Sequence, residues 1–317
     1  MSDQELQLRV DCLRREADGV ISVTLAEPSG LRLPEWDPGS HLQIRLRSGR
    51  TRQYSIFAGG GDGNQYWIAV KDNKDGRGGS REIHSSLKLG DLVAVSPPAN
   101  NFRLEPALHY IFIAGGIGIT PILPMAEAVL GNSSFHLYYC GRTRSSMSLL
   151  REVGRLPQAN VTIASSDAGR LSLKEIVGQA KSGSHIYACG PSRLLDELSS
   201  LVGDRPDIAL RIERFEAPEQ VSAPSDANNK SFELVMNRSG RRIVIPPDST
   251  VLAELLKEDP SIRYSCCEGF CGTCETKVLE GRVDHRDLLL TEDERLIKKT
   301  MMICVSRALS DVLVLDI

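Results

Sequence analysis

From Leu6 to about Pro106, hydrophobic and polar residues alternate in short runs: Leu6, Leu8 and Val10, then Ile21, Val23 and Leu25, then Leu42, Ile44 and Leu46, then Tyr66 to Val70 and Leu92 to Val95. A period of two broken by glycine-rich turns predicts antiparallel strands, and closure into a small barrel removes their unpaired edges. From Tyr110 the texture changes. Strand-like runs at 110–114, 135–140, 161–164, 185–189 and 210–215 alternate with helical stretches, one of them opening with Ser192 as a cap ahead of Leu194, Leu195, Leu198 and Leu201. Such alternation predicts a parallel sheet covered on both faces.

Between Glu216 and Lys230 stand two prolines, small polar residues and one large apolar side chain, Val221, which is linker composition. Beyond it the pattern predicts a hairpin over 231–245 turning at 237–240, a short helix over 250–256 and a closing strand over 312–315. The expected organisation is a β-barrel (1–106), an α/β parallel-sheet domain (107–218), a linker (219–230) and a small third domain (231–317).

The 317 residues, 25% of them charged and 41% hydrophobic, are those of a folded globular chain with several cores. Against 38 Lys and Arg stand 41 Asp and Glu; residues 231–317 hold 12 and 15 of these, so the whole net charge of −3 lies there. Nothing drives the chain towards nucleic acid or an anionic membrane. The start, Met-Ser-Asp-Gln-Glu, has neither basic nor apolar character, so the expected compartment is the cytoplasm and the cysteines are expected to be reduced. The run from Ala107 to Ala126 is long enough for a membrane span, but Gly115, Gly116, Gly118, Pro121 and Pro124 would break it. It reads as a buried strand, a glycine turn and a helix starting near Thr120.

Five of eight cysteines fall in the third domain, where Cys266, Cys271 and Cys274 have the spacing C-x4-C-x2-C and Cys304 follows at a distance. That is the plant-type arrangement for a [2Fe–2S] cluster. Structural zinc is the alternative, but zinc sites usually show two C-x2-C pairs or a Cys/His mixture, and no histidine interrupts this loop. Cys267 reads as a packed thiol outside the ligand set. Gly269 and Gly272 supply the dihedral freedom that a loop wrapped around a cluster needs.

Three further segments carry candidate chemistry. In Ile111-FIAGGIGITP a buried strand enters a glycine turn and then a helix, a place where backbone N–H groups bind phosphate; a tight turn without ligand is the alternative. Cys189-Gly190-Pro191 lies at the carboxyl end of a later strand, the edge where open parallel sheets place ligands. In the barrel, Thr51-RQYSIF puts Arg52 and Tyr54 on one strand face, followed by Ser55. A cation, a ring and a hydroxyl suit a flavin's phosphate, ribityl chain and N5 edge, although a mixed exposed strand looks the same. Gly78, Gly79 and Ser80 form a candidate phosphate nest with Arg77 as counter-charge, or else a hairpin tip.

In this order, R-x-Y-S and RGGS in a barrel, AGGIGITP and CGP in a sheet domain, and C-x4-C-x2-C…C at the end resemble the phthalate dioxygenase reductase family over nearly the whole chain. The resemblance implies an FMN-binding barrel, a NAD-binding domain and a ferredoxin-like β-grasp domain. It implies FMN held by Arg52, Tyr54, Ser55, Val70, Lys71, Gly79 and Ser80, with Gln53 and Ala69 alongside. The nicotinamide nucleotide would lie at Gly115, Gly116, Gly118, Thr120 and the 189–191 turn, with Cys189 near its ring. Phe215 would lie against the flavin, and Cys266, Cys271, Cys274 and Cys304 would hold iron. Ser55, Cys189 and Phe215 are the expected catalytic positions.

NADH surrenders two electrons as a hydride whereas the cluster takes one at a time, so a flavin between them is chemically required. The implied enzyme is a monomeric, NADH-dependent reductase component of a Rieske-type oxygenase. A reductase for a diiron monooxygenase or a cytochrome is a second reading, but those relatives more often carry the ferredoxin-like domain first. A cysteine-rich binding module without turnover is a third. One departure concerns the nucleotide: Cys140-GRTRSSM offers Arg142 and Arg144 but no acid for a ribose 2′-hydroxyl. NADH remains the expected donor, with these arginines at the pyrophosphate or in solvent.

Overall fold

The computed structural model describes residues 5–74, 76, 78–215, 229–259, 262, 264, 267–270 and 272–317. The chain forms two compact units, Met1–Phe215 and Glu216–Ile317. Of the expected linker, 219–228 lies outside the described residues.

The first unit opens with β1 (Leu6–Ala17), β2 (Val20–Ala26), β3 (Ser40–Arg45), β4 (Thr51–Gly59) and β5 (Gln65–Lys71), then α1 (Gly79–Ser86), β6 (Leu92–Val95) and the short β7 (Ala99–Asn100). The order β4-β5-β2-β1-β6-β3, with β3 pairing back to β4, closes a six-stranded antiparallel barrel. Inward positions of period two, among them Leu8, Val23, Leu25, Leu42, Ile56 and Ile68, fill its core. Each is 1% exposed or less, and burial of such a side chain contributes about 1.5–3 kcal/mol. The other face of β4 and β5 turns away from that core: Phe57 and Ala69 join a different cluster with the next domain.

That domain runs β8 (His109–Gly115), α2 (Ile119–Ala128), β9 (Ser134–Gly141), α3 (Leu150–Val153), β10 (Val161–Ser165), α4 (Leu173–Gln179), β11 (His185–Cys189), α5 (Ser192–Gly203) and β12 (Ala209–Glu213). Its strands are all parallel in the order β10-β9-β8-β11-β12. Alternation again sorts the faces. Phe112, Leu137 and Tyr187 pack with Ile122 and Met125 of α2 and with Phe57, whereas Ile113, Ile186 and Ala188 pack under Ile176 of α4 and Leu195 and Leu198 of α5.

Two local expectations are corrected. Ser192 does not cap α5: Pro191 holds the cap position with φ −60°, its carbonyl accepts the N–H groups of Leu194 (3.0 Å) and Leu195 (3.2 Å), and Ser192 is already helical. The last strand ends at Glu213, so Phe215 stands beyond it.

In the second unit β13 (Phe232–Met236) and β14 (Arg242–Ile245) form the expected hairpin, followed by α6 (Val251–Glu258), β15 (Glu275–Glu280), β16 (Val283–Asp284), α7 (Glu292–Lys298), β17 (Thr300–Met302), β18 (Arg307–Ala308) and β19 (Val312–Leu315). The sheet β14-β13-β19-β15-β17 is mixed, with β13 and β19 parallel at its centre. Val251 and Leu255 of α6 bury against Leu234 and Leu313. Thr250 caps that helix by accepting the Ala253 N–H at 3.0 Å. Among the described residues no helix is long and apolar enough to cross a membrane.

Candidate functional site

Antiparallel pairing of β3 and β4 sets His41 opposite Ser55, Leu42 opposite Tyr54 and Ile44 opposite Arg52. Tyr54 lies against the barrel core, and burial pushes its phenol above the ordinary range. Arg52 runs across Gly79: a methyl built on Gly79 would stand 2.6 Å from both Cγ and Nε of Arg52. The R-x-Y-S strand and the GGS segment, more than twenty residues apart, therefore meet. Gly78, left-handed at φ 82°, leads into α1, and Ser80 Oγ accepts the Asn73 N–H at 3.0 Å. His84 Nε2 stands 2.9 Å from the Val70 carbonyl, which ties α1 to the end of β5 carrying Ala69, Val70 and Lys71. A guanidinium beside a glycine entry to a helix fits a flavin phosphate. Arg77 lies outside the described residues.

Beside Ser55, itself 4% exposed, Gln53 Nε2 sits 3.0 Å from His41 Nε2. Burial lowers the His41 imidazole to about 4, so it is neutral at physiological pH.

The second candidate site lies at the carboxyl edge of the parallel sheet. A Cβ on Gly118 would fall 2.2 Å from the Cys189 carbonyl oxygen, and one on Gly115 would fall 2.7 Å from Pro191 Cδ. The glycine turn after β8 and the Cys189-Gly190-Pro191 turn after β11 are thus in direct contact, and the glycines there are required by the approach. Gly116 adopts φ 56°, and Thr120 closes the turn by donating its hydroxyl to the Ile117 carbonyl at 3.0 Å.

Cys189 is fully buried, and burial together with the neighbouring Glu213 raises its thiol well above the ordinary value. It is a neutral thiol, not a nucleophilic thiolate. Phe215 is 38% exposed and Arg142 is exposed.

In the second unit Cys274 and Cys304, each 4% exposed, lie at paired ends of β15 and β17, where Glu275 opposes Met302 and the Ile303 N–H donates to the Cys274 carbonyl at 3.4 Å. Cys267, which reads as packed in the sequence, is exposed, and Cys267, Gly269 and Gly272 have φ of 57°, 74° and 76°. Left-handed residues between thiols turn backbone N–H groups inward, which suits a sulfur-rich cluster. Cys266 and Cys271 lie outside the described residues.

Two site groups carry no sequence signature of their own. Glu213 pairs with Cys189 across β11 and β12; its Oε2 is enclosed without a hydrogen-bond partner although the residue keeps some exposure, and burial raises the carboxyl to about 8. Asp287, its side chain fully enclosed, accepts the Leu290 N–H at 2.9 Å and backs the cluster loop: a Cβ on Gly269 would lie 3.1 Å from Asp287 Cα. A single acid in a strand or turn has no spacing that marks it in a sequence.

Residues 112–199 match the family described as the oxidoreductase NAD-binding domain, and residues 234–309 the 2Fe-2S iron-sulfur cluster binding domain. The phthalate 4,5-dioxygenase oxygenase reductase subunit of Pseudomonas putida is 37% identical, covering 98% of this chain and 96% of that protein. The carnitine monooxygenase reductase subunit of Escherichia coli (strain K12) is 37% identical over the full length of both. The solved structure of phthalate dioxygenase reductase, described as a modular structure for electron transfer from pyridine nucleotides to [2Fe–2S], superposes with TM-score 0.71 at 33% identity, covering 99% of this chain and 98% of that one.

Proposed function

This chain belongs to the phthalate dioxygenase reductase family, an oxidoreductase that passes electrons from NADH through a flavin and a [2Fe–2S] cluster to a protein of an oxygenase system, and on that premise we propose that its acceptor is a Rieske-type oxygenase component. The observation that supports the reductase reading is that each site's sequence-distant segments meet within one unit, Arg52 at Gly79 and Gly118 at Cys189, while Phe57 of the barrel shares one core with Ile122 and Met125 of α2. FMN, when bound, would supply the conversion between a two-electron hydride donor and a one-electron acceptor.

The roles of the chain's own residues follow from their chemistry. Arg52, with Gly78, Gly79 and Ser80, binds the flavin phosphate. Tyr54, Gln53, Ala69, Val70 and Lys71 line the flavin, and buried Ser55 sits at its reactive edge. The turns at 115–120 and 189–191, held together by the close approach of Gly115 to Pro191, would bind the nucleotide, with the neutral Cys189 thiol against the nicotinamide. Phe215 covers the flavin, and Glu213, protonated below about pH 8, holds a proton at its carboxyl beside Cys189. Cys266, Cys271, Cys274 and Cys304 ligate the iron. We assign flavin binding to 1–106, nucleotide binding to 107–218 and the cluster to 231–317, in a cytoplasmic monomer.

The acceptor assignment is tested by mixing the NADH-reduced holoprotein anaerobically with a purified Rieske-type oxygenase component, with a diiron monooxygenase and with cytochrome c. Rapid reduction of the Rieske centre alone is expected. Rapid reduction of either of the others, with a silent Rieske centre, would overturn the assignment.

A further inference from the structure

At the carboxyl edge of β9 and β10 opens a cavity of about 470 Å³, its walls formed by Arg144, Met147, Thr162, Ser165, Arg170 and Leu171 among others. The strand order places it on the opposite side of β8 from Cys189. In an open parallel sheet, a dinucleotide whose nicotinamide lies at Cys189 crosses the glycine turn after β8 and sets its adenosine end here. Arg144 and Arg170 are both exposed, and neither guanidinium has an ion-pair or hydrogen-bond partner among the described residues. No Asp or Glu lines the cavity; Asp167, close in sequence, is exposed and outside its walls.

A site that reads a ribose 2′-hydroxyl offers a carboxylate, whereas a site for a 2′-phosphate offers arginine. Here two unpaired guanidiniums flank a cavity with the Ser165 hydroxyl in its wall. Thr162 is already engaged, its Oγ1 standing 2.8 Å from His136 Nε2. Resting on the reductase reading above, we propose that this enzyme uses NADPH as well as NADH, with the 2′-phosphate bound between Arg144 and Arg170. The redox step is the one NADH would perform: the two-electron hydride at the nicotinamide C4 would pass to the flavin, the two-electron acceptor of the reductase reading, leaving NADP⁺. The phosphate serves only as a handle. Arg144 and Arg170 are specificity determinants, and the exposed Arg142, outside the cavity walls, is not one of them.

The experiment compares kcat/KM for NADPH and NADH in the holoprotein, in Arg144→Ala and in Arg170→Ala, together with calorimetric binding of 2′-phospho-AMP and 5′-AMP. Expected is an NADPH efficiency within about tenfold of that for NADH, a drop of about tenfold in the NADPH/NADH ratio in each variant, and tighter binding of 2′-phospho-AMP than of 5′-AMP. A wild-type ratio below about one in a thousand, or a ratio unmoved in both variants, would overturn the proposal. Failure to oxidise either nucleotide would instead overturn the reductase reading; the binding comparison needs no electron transfer and decides the cavity assignment even then.

Discussion

Arg52 lies so closely over Gly79 that the two candidate flavin segments are one piece of structure: a methyl on Gly79 would meet Arg52 Cγ and Nε at 2.6 Å. The arginine side chain can swing aside, so the cost of Gly79→Ala falls on ligand geometry more than on folding. FMN affinity is expected to fall about tenfold, as for one weakened charge-assisted contact, while the apoprotein melting temperature moves by less than about 3 °C. Flavin fluorescence titration measures the first and calorimetry the second. Unchanged FMN affinity would show that Arg52 does not hold the phosphate.

Gly118 gives the opposite balance. The atom 2.2 Å from its absent Cβ is the Cys189 carbonyl, a backbone atom that has no rotamer to escape into. Gly118→Ala is expected to cost about 3 kcal/mol of stability in the first unit and to raise KM for NADH, while the visible spectrum of the cluster unit persists. Wild-type melting and wild-type KM together would refute the contact.

Glu213 makes the first unit pH-sensitive in a definite direction. Its carboxyl is raised from 4.5 to about 8 by burial, so between those values the folded state keeps a proton that the unfolded state has released. Stability therefore falls as pH rises through this window, by up to about 1.4 kcal/mol per pH unit. Denaturant unfolding from pH 5 to pH 8 should show this decline in the parent protein and a flatter curve in Glu213→Gln. Parallel curves would contradict it.

What the sequence discloses here is what short-range pattern encodes. Alternation placed the barrel strands and sorted their faces, because side-chain direction in a strand has a period of two. Contacts between distant turns are another matter. Gly79, Gly115 and Gly118 are visible as glycines, but the reason for each is an approach by Arg52, Pro191 or Cys189 from elsewhere in the chain. Glu213 is silent in the sequence because its meaning comes from the neighbouring strand, where Cys189 sits opposite it. Ser192 has the sequence character of a cap, but a proline with fixed φ already supplies the carbonyl that opens α5.

Modularity predicts a separable loss. Cys304 lies two residues beyond β17 in the second unit, whereas the candidate flavin and nucleotide sites lie in the first. Cys304→Ser should abolish the iron–sulfur absorbance and electron delivery to any one-electron acceptor. Flavin content and the rate of flavin reduction by NADH should stay within about twofold of the parent, since that step has its own site. Iron analysis with stopped-flow absorbance checks both. Concurrent loss of flavin reduction would show that the units depend on each other.

The reductase reading rests on electrons passing from a pyridine nucleotide through flavin to iron–sulfur within one polypeptide. Anaerobic titration of the purified protein with NADH, followed by identification of the released flavin, tests it most directly. Flavin and iron–sulfur bands are expected to bleach together before equimolar NADH is reached, and the released flavin to be FMN. A colourless protein, or flavin bands that bleach while the iron–sulfur bands stay oxidised, would contradict it.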